Sequence, residues 1–226
     1  MTKQLLKIKN LSKEYVLNNN KISILNKVNF NLYQGDIVSI SGPSGSGKST
    51  FLNILGLLDS EFIGEYVFLD KNINNLTTIQ KSIIRNKSIG FVHQFFHLIP
   101  ELNVLENIFL PNLIYKDRYL ESNKLAKDII DIFDLKDRMY AKPLNLSGGE
   151  QQRVGIARAL INKPKIIIAD EMTGNLDEKT ANSVFSFFLE KIKINNQSLI
   201  YVTHNKNYAM KAKYKYKISN QQLLKI

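Results

Sequence analysis

The chain of 226 residues contains no cysteine. That excludes a disulfide framework and any Cys-ligated zinc. Nowhere do about 18 apolar residues run together, so no transmembrane helix is expected. The opening stretch, MTKQLLKIKNLSKEY, lacks an apolar core ahead of a small-residue cleavage site, so no secretory signal is visible. Together these absences favour the cytoplasm. Acidic residues are also scarce: 20 Asp and Glu stand against 31 Lys and Arg, for a net charge of +11. One reading is a surface for nucleic acid or an anionic membrane. The other is compositional drift, because Lys far outnumbers Arg and both Asn and Ile are abundant, as an AT-rich coding sequence produces. The lysines are scattered, which favours drift. The exception is KNYAMKAKYKYK, residues 206–217, whose interleaved Tyr and Lys suit either nucleic-acid stacking or a solvated surface helix and strand. The second is expected. A hydrophobic content of 44% is enough for a sizeable core, and the length suits one domain with a subdivision or two small ones.

What is present is organised around GPSGSGKST, residues 42–50. Gly42, Gly47, Lys48 and Ser49 match the phosphate-binding loop G-x-x-x-x-G-K-[ST]. The apolar run Ile37–Ile40 reads as a buried strand before it, and Ser49–Leu55 as a helix after it. Strand, loop and helix are the context that this motif requires. A triphosphate is dense with negative charge, so several backbone N–H groups must come close to it. Gly42, Gly45 and Gly47 allow the dihedrals and the close approach. The helix start near Lys48 adds its positive end. Lys48 is placed to reach the β- and γ-phosphates, and the Ser49 hydroxyl to hold Mg²⁺. The four fixed positions arise by chance in roughly one per cent of chains of this length. Nucleotide binding is therefore favoured over a Gly/Ser-rich turn with a chance lysine.

Residues 4–9 and 28–33 read as strands by alternation. Between them Tyr15 precedes a polar stretch, Asn18–Lys21. A tyrosine ahead of a phosphate loop either stacks on adenine or simply packs near a turn. Residues 65–70 read as a strand, 71–78 as a polar loop and 78–86 as a short exposed helix. Residues 89–93 form a strand ending at Gln94, which reads as a Mg²⁺ ligand and water-positioning amide or as a plain surface amide. The apolar loop that follows, with Phe95, Phe96, Leu98, Ile99 and Pro100, suits a partner's helix or ordinary packing. His93 and His97 imitate a metal pair, but no third ligand is evident and metal binding is not expected there. Helices are expected over 101–110 and 123–133, with Pro111 and Lys136-Asp137 as breaks. Ser147 is a natural N-cap for the apolar helix 154–160. The glycines Gly148 and Gly149 at that start expose N–H groups to an anion, unless they make only a tight turn. One nucleotide cannot easily touch both glycine-rich helix starts in one fold, which points the second at a neighbour's nucleotide. KIIIADE, residues 165–171, is a buried strand ending in Asp170, which suits Mg²⁺, and Glu171, which suits a general base. Asp177 caps a helix over 178–192. A strand over 198–203 ends at His204, a candidate γ-phosphate contact. Two short strands close the chain.

These pieces resemble the ATP-binding cassette family of transport ATPases across essentially the whole chain. The loop at 42–50, Gln94, LSGGEQQR at 146–153, IIIADE, GNLD and His204 follow the family's order. The resemblance implies an α/β, P-loop NTPase core with a mixed, mainly parallel sheet, an antiparallel β subdomain and an inserted helical subdomain. Residues 1–94 and 163–226 would form the core, and 95–162 the helical part with the signature. It implies ATP and Mg²⁺ as ligands, with Gly42, Pro43, Ser44, Gly45, Ser46, Gly47, Lys48, Ser49, Thr50 and Tyr15 binding ATP. Ser49, Gln94 and Asp170 would hold the metal, and Glu171, His204 and Gln94 would serve catalysis. It implies a head-to-tail homodimer in which Ser147, Gly148, Gly149, Glu150 and Asp177 face the other copy's ATP. Residues 90–111, with QF-x-HL-x-P and LEN, resemble the lipoprotein-releasing group within the family. The TGNLD form at 173–177 is shared with macrolide-efflux and cell-division ATPases. The implied setting is the cytoplasmic face of a bacterial inner membrane, held peripherally by permease subunits docked near Gln94–Pro111. A soluble cassette acting on DNA or ribosomes is the contrasting class. Such proteins carry coiled-coil insertions or duplicated cassettes, so no nucleic acid is expected here. A non-catalytic module is opposed by intact Asp170, Glu171 and His204. Three positions depart from the pattern: Met172 for proline, Asn205 for aspartate, and Asn220-Gln221 where glycine is usual.

Overall fold

The computed structural model describes residues 2–17, 20–116 and 119–226. The chain forms two compact units, Met1–Arg85 with Asn196–Ile226, and Asn86–Asn195.

In the first unit, β1 (Gln4–Leu17) pairs antiparallel with β2 (Asn20–Tyr33) and β4 (Ile63–Phe68), and β5 (Lys71–Asn72) extends β4. Strands β1 and β2 run well past the stretches that alternation marks. Register shifts between Ile8 and Leu11, and again around Lys13, break the period of two. Asn10 and Lys27 take left-handed backbone there, so the pleat continues while the pattern changes phase. Asn18 and Asn19 of the expected polar turn lie outside the described residues. The second sheet of this unit centres on β3 (Ile37–Ser41), parallel to β8 (Ser198–Val202) and β9 (Tyr214–Ser219). β9 turns antiparallel into β10 (Gln222–Lys225). Asn220 and Gln221 both have positive φ (49° and 65°), the geometry of a tight two-residue hairpin. β3 and β8 are mostly apolar, with the small Ser39 and Ser198 as their buried polar residues, because nearly every residue in them is buried. Helix α1 (Lys48–Leu55) follows β3. Its Phe51 meets Phe30 edge-on at 5.8 Å, and Phe30 meets Tyr216 at 5.4 Å. Burying each such side chain contributes roughly 1.5–3 kcal/mol. The buried Tyr66 hydroxyl donates to the Leu55 carbonyl (2.7 Å) and closes the far end of α1. Helix α2 (Thr78–Ser88), none of it buried, carries the chain into the second unit.

There β6 (Ile89–Val92) runs parallel to β7 (Ile166–Asp170). Helices α3 (Val104–Lys116), α4 (Tyr119–Ile132), α5 (Gly148–Leu160) and α6 (Glu178–Ile194) complete the unit. The sequence places a break at Pro111; the proline instead lies inside α3. Proline removes one helical hydrogen bond, and tertiary bonds hold the segment through it. The Asn86 side chain donates to the Pro111 carbonyl (2.8 Å), as does Asn162 (3.3 Å). Asn112 donates to Asn162 (2.7 Å) and accepts from buried Ser122 (2.6 Å). At the other end of α3, Asn103 and Glu106 exchange the two bonds of a capping box. Back in the first unit, the short helix α7 (Lys206–Met210) is capped by Asn205, which accepts from the Asn207 and Tyr208 N–H groups. The aspartate-to-asparagine departure thus keeps a working cap.

Candidate active site

In the first unit the phosphate-type loop is shaped by two close approaches. Gly42 and Gly47 have φ of 152° and 96°. A Cβ on Gly42 would lie 2.5 Å from the Ile218 carbonyl oxygen, and one on Gly47 would lie 2.8 Å from the Ile24 Cγ2. No side chain would fit in either place. The Gly47 N-cap gives α1 no side-chain hydrogen bond, so no capping side chain covers the positive end of the helix. The Ser46 hydroxyl is buried without a hydrogen-bond partner in the described structure. Lys48, almost fully buried, donates to the Gly42 and Pro43 carbonyls (3.1 and 2.8 Å), which curls its ammonium into the loop. Uncapped amides, an orphan hydroxyl and a captive cation around a glycine cradle fit a polyphosphate. Pro43, Ser44, Gly45 and Ser49 are exposed on the loop, with Thr50 half-buried behind them. His204 is brought to this loop by strand register. Ile40 pairs with Val202, so Gly42 and His204 leave the same end of neighbouring parallel strands.

Tyr15 stands on β1 with 43% of its surface exposed. Its hydroxyl donates to Asp59 (3.2 Å), and the buried Lys13 ammonium lies 4.7 Å from its ring centre. Lys13 also binds both Asp59 oxygens at 2.9 Å. Burial works against ionisation of Asp59. The Lys13 ammonium, the Glu61 N–H and the Tyr15 hydroxyl outweigh it and hold the carboxyl below its ordinary range. A lysine in a strand reads as solvated, and its partner lies 46 residues on, so no local pattern marks this pair.

In the second unit, Val92 pairs with Ala169, which sets Gln94 and the carboxylates Asp170 and Glu171 at one end of β6 and β7. Gln94 and Asn175 exchange side-chain bonds, Gln94 Nε2 to Asn175 Oδ1 at 3.4 Å and Asn175 Nδ2 to the Gln94 carbonyl at 3.1 Å. Gly174 N–H donates to the Glu171 carbonyl (2.9 Å). Glu171 takes left-handed backbone at φ 44°, a strain of about 1–3 kcal/mol for a non-glycine residue. Met172, at the proline departure, is buried and anchors the same turn. His93 stacks on Phe91, and its pKa is lowered, first by burial and then by His97 and Arg158. Arg158 donates to the carbonyls of His97 and Phe96 (2.6 and 2.8 Å), pinning the loop after Gln94. Among the described residues no group of three or more His, Asp or Glu could hold a metal.

The second glycine-rich helix start is built differently. Ser147 caps α5, accepting from the Glu150 N–H, while Glu150 accepts from the Ser147 N–H at 2.7 Å. Arg138 donates to Glu150 at 2.9 Å, a partner that spacing did not reveal. A Cβ on Gly149 would lie 2.6 Å from the Thr180 Cγ2, and one on Gly148 would lie 3.2 Å from the Leu176 Cδ2. The signature therefore packs against the turn that ends at Asp177. Asp177 in turn caps α6, accepting from Thr180 N–H at 3.0 Å. The Thr180 hydroxyl and N–H hold its carboxyl below the ordinary range.

This combination of fold and motifs defines a P-loop ATPase, and residues 25–174 match the model of the ABC transporter family. The chain belongs to that family and is one of its ATP-binding ATPases. It is 42% identical over 223 residues to the lipoprotein-releasing system ATP-binding protein LolD of Rickettsia bellii (strain RML369-C), covering 99% of each chain. It is 43% identical over 222 residues to LolD of Wigglesworthia glossinidia brevipalpis, covering 98% of this chain and 96% of that one. Among solved structures it resembles a dimeric ATP-binding cassette in a post-hydrolysis state with ADP and phosphate. The TM-score is 0.88 at 40% identity, over 97% of this chain and 96% of the other. Another dimeric structure of that same bacterial ABC transporter cassette gives 0.87 at 41% identity over the same shares.

Proposed function

We propose that this chain is the ATP-hydrolysing subunit of a lipoprotein-releasing transporter of the bacterial inner membrane. The observation that carries this reading is the likeness to LolD proteins over nearly the whole chain. The expected loop, glutamine, carboxylates and histidine all stand at strand ends. Lys48 and the loop N–H groups hold the β- and γ-phosphates, with the Ser46 hydroxyl as a further donor, and Tyr15 stacks on adenine. Ser49, Gln94 and Asp170 offer hydroxyl, amide and carboxylate oxygens, a donor set that suits Mg²⁺. When bound, the ion neutralises charge on the phosphates. Glu171 takes the proton of the attacking water, and His204 contacts the γ-phosphate. Ser147, Gly148, Gly149, Glu150 and Asp177 of a second copy complete the site, in line with the dimeric form of the related cassette in both of its structures. In this reading residues 1–94 and 163–226 are the nucleotide-binding core and 95–162 the helical subdomain. Among the described residues no helix is long and apolar enough to cross a membrane. In this reading permease subunits attach the chain at the cytoplasmic face, docked over Gln94–Pro111, where Phe95 is 64% exposed.

The test is reconstitution with the membrane partners in proteoliposomes, with and without an acylated lipoprotein. ATP-dependent release, lowered at least about 100-fold by Glu171→Gln while ATP binding persists, is the expected result. Turnover without lipoprotein release would move the assignment to efflux or cell division. Near-normal turnover by Glu171→Gln would remove Glu171 as the base.

A further inference from the structure

Tyr15 is unusually constrained for a residue with so much exposed ring. Two groups fix it. Its hydroxyl donates to Asp59 Oδ2. The Lys13 ammonium lies over its ring. Lys13 itself is only 2% exposed and grips both Asp59 oxygens, with Glu61 3.9 Å away. Asp59 is equally fixed. Its N–H donates to the Asn53 carbonyl (3.2 Å) and that of Leu58 does the same (2.9 Å), with Leu57 in left-handed backbone at φ 59°. The carboxylate thus hangs rigidly from the C-terminal end of α1, the helix whose N-terminal residue is Lys48. The other side of the frame reaches the same loop. Lys13 pairs across the strands with Leu25, whose Cδ2 would lie 3.4 Å from a Cβ on Gly47.

An ion pair that merely fastens β1 to α1 would account for Lys13 and Asp59. It would not need the Tyr15 hydroxyl on the same carboxylate oxygen, nor the cation against the ring. A ring held in advance loses less freedom when a flat ligand stacks on it. We propose that Lys13 and Asp59 are positioning residues that hold Tyr15 ready for a purine base, tying base recognition to the phosphate-loop helix. The inference rests on the reading of Tyr15 as the adenine-stacking residue. It adds two residues that contact neither phosphate nor metal, and it predicts that they govern only the base-dependent share of affinity.

The experiment is calorimetric titration of the full-length chain with MgATP and, separately, with Mg-tripolyphosphate, which has no base. Tyr15→Ala is expected to weaken MgATP binding about 5- to 100-fold and leave tripolyphosphate unchanged. Tyr15→Phe keeps the ring and removes only the bond to Asp59. It and Lys13→Met are each expected to weaken MgATP binding about three- to tenfold, again sparing tripolyphosphate. Lys13→Met is expected to add nothing in a Tyr15→Ala background. Equal losses for both ligands in Lys13→Met would reduce the pair to a fold fastener and overturn the proposal. So would wild-type MgATP binding by Tyr15→Phe alongside a weakened Tyr15→Ala, which would leave the stacking reading intact. Unchanged MgATP binding by Tyr15→Ala would instead overturn the stacking reading, and the positioning role with it. Should Lys13→Met fail to fold, Tyr15→Phe decides alone.

Discussion

The two glycine-rich helix starts, at Gly47 and at Ser147, look alike as sequence and differ as chemistry. At α1 the N-cap is a left-handed glycine with no side-chain bond, and the nearest cation, Lys48, bends back to the carbonyls of its own loop. At α5 the cap is closed on itself: Ser147 and Glu150 satisfy each other's N–H groups, and Arg138 holds Glu150. The first start has no capping side chain between its positive end and an arriving anion. At the second, the Ser147 and Glu150 N–H groups are already taken by the capping box, so an anion arriving there meets fewer open donors. A bare helix start is suited to hold a polyphosphate firmly. A capped one is suited to touch a ligand already held elsewhere, which is the division of labour that the proposed dimer needs.

The sharpest way to break this contrast is to remove the cation at α1. Lys48→Ala deletes a charged donor and leaves the glycine cradle. Nucleotide affinity is expected to fall roughly 10- to 150-fold, the value of hydrogen bonds to a charged group. Equilibrium binding of a fluorescent ATP analogue measures it. Affinity equal to wild type would mean that α1 is not the firm holder, and the contrast would collapse.

At α5 the expected effect falls mainly on stability. Ser147→Ala removes the cap and half of the box, at a cost of about 1 kcal/mol. Urea denaturation of the isolated chain should show it as a lower midpoint. ATP affinity of the same chain at low concentration, where a dimer is sparse, should not change. A loss of affinity there would show that the second start holds nucleotide within one chain.

The sequence marks α1's loop because phosphate binding, as proposed, would fix glycines and a lysine at set intervals, and it marks β3, β7 and β8 because burial on both faces leaves few polar residues in them. It hid features whose causes lie far along the chain. Pro111 signals a break, but the carbonyl contacts from Asn86 and Asn162 are invisible to local rules. β1 and β2 outrun their alternation because bulges shift the phase of the pleat. Lys13 reads as a solvated residue until Asp59, from the end of another element, is laid beside it. Glu171's left-handed backbone is equally unreadable, since nothing about a glutamate announces it. The proposed site residues therefore stand out more in the sequence than the scaffolding around them, because a bound phosphate would dictate residue types and spacing, whereas scaffolding contacts only need to meet in space.

The smallest expected effect separates the two starts by pH. Burial favours the neutral form of Glu150, but the Arg138 guanidinium and the Ser147 N–H and hydroxyl outweigh it and hold its carboxyl below the ordinary value. A depressed carboxylate contributes stability that is present in full above its unfolded value, near 4.5, and is lost as pH falls through the lower folded value. The α1 start has no titrating cap and should contribute nothing to this slope. Melting temperatures of the wild type and Glu150→Gln, taken between pH 6 and about pH 3.5, test the difference. The variant should melt lower at pH 6, because it gives up the charge-assisted bond to Arg138. The two curves should converge on acidification, since the wild type loses that same bond by protonation. Curves that stay parallel would mean that the carboxylate's charge does not support the cap. The α5 start would then rest on Ser147 alone, closer to the bare start at Gly47 than its geometry implies.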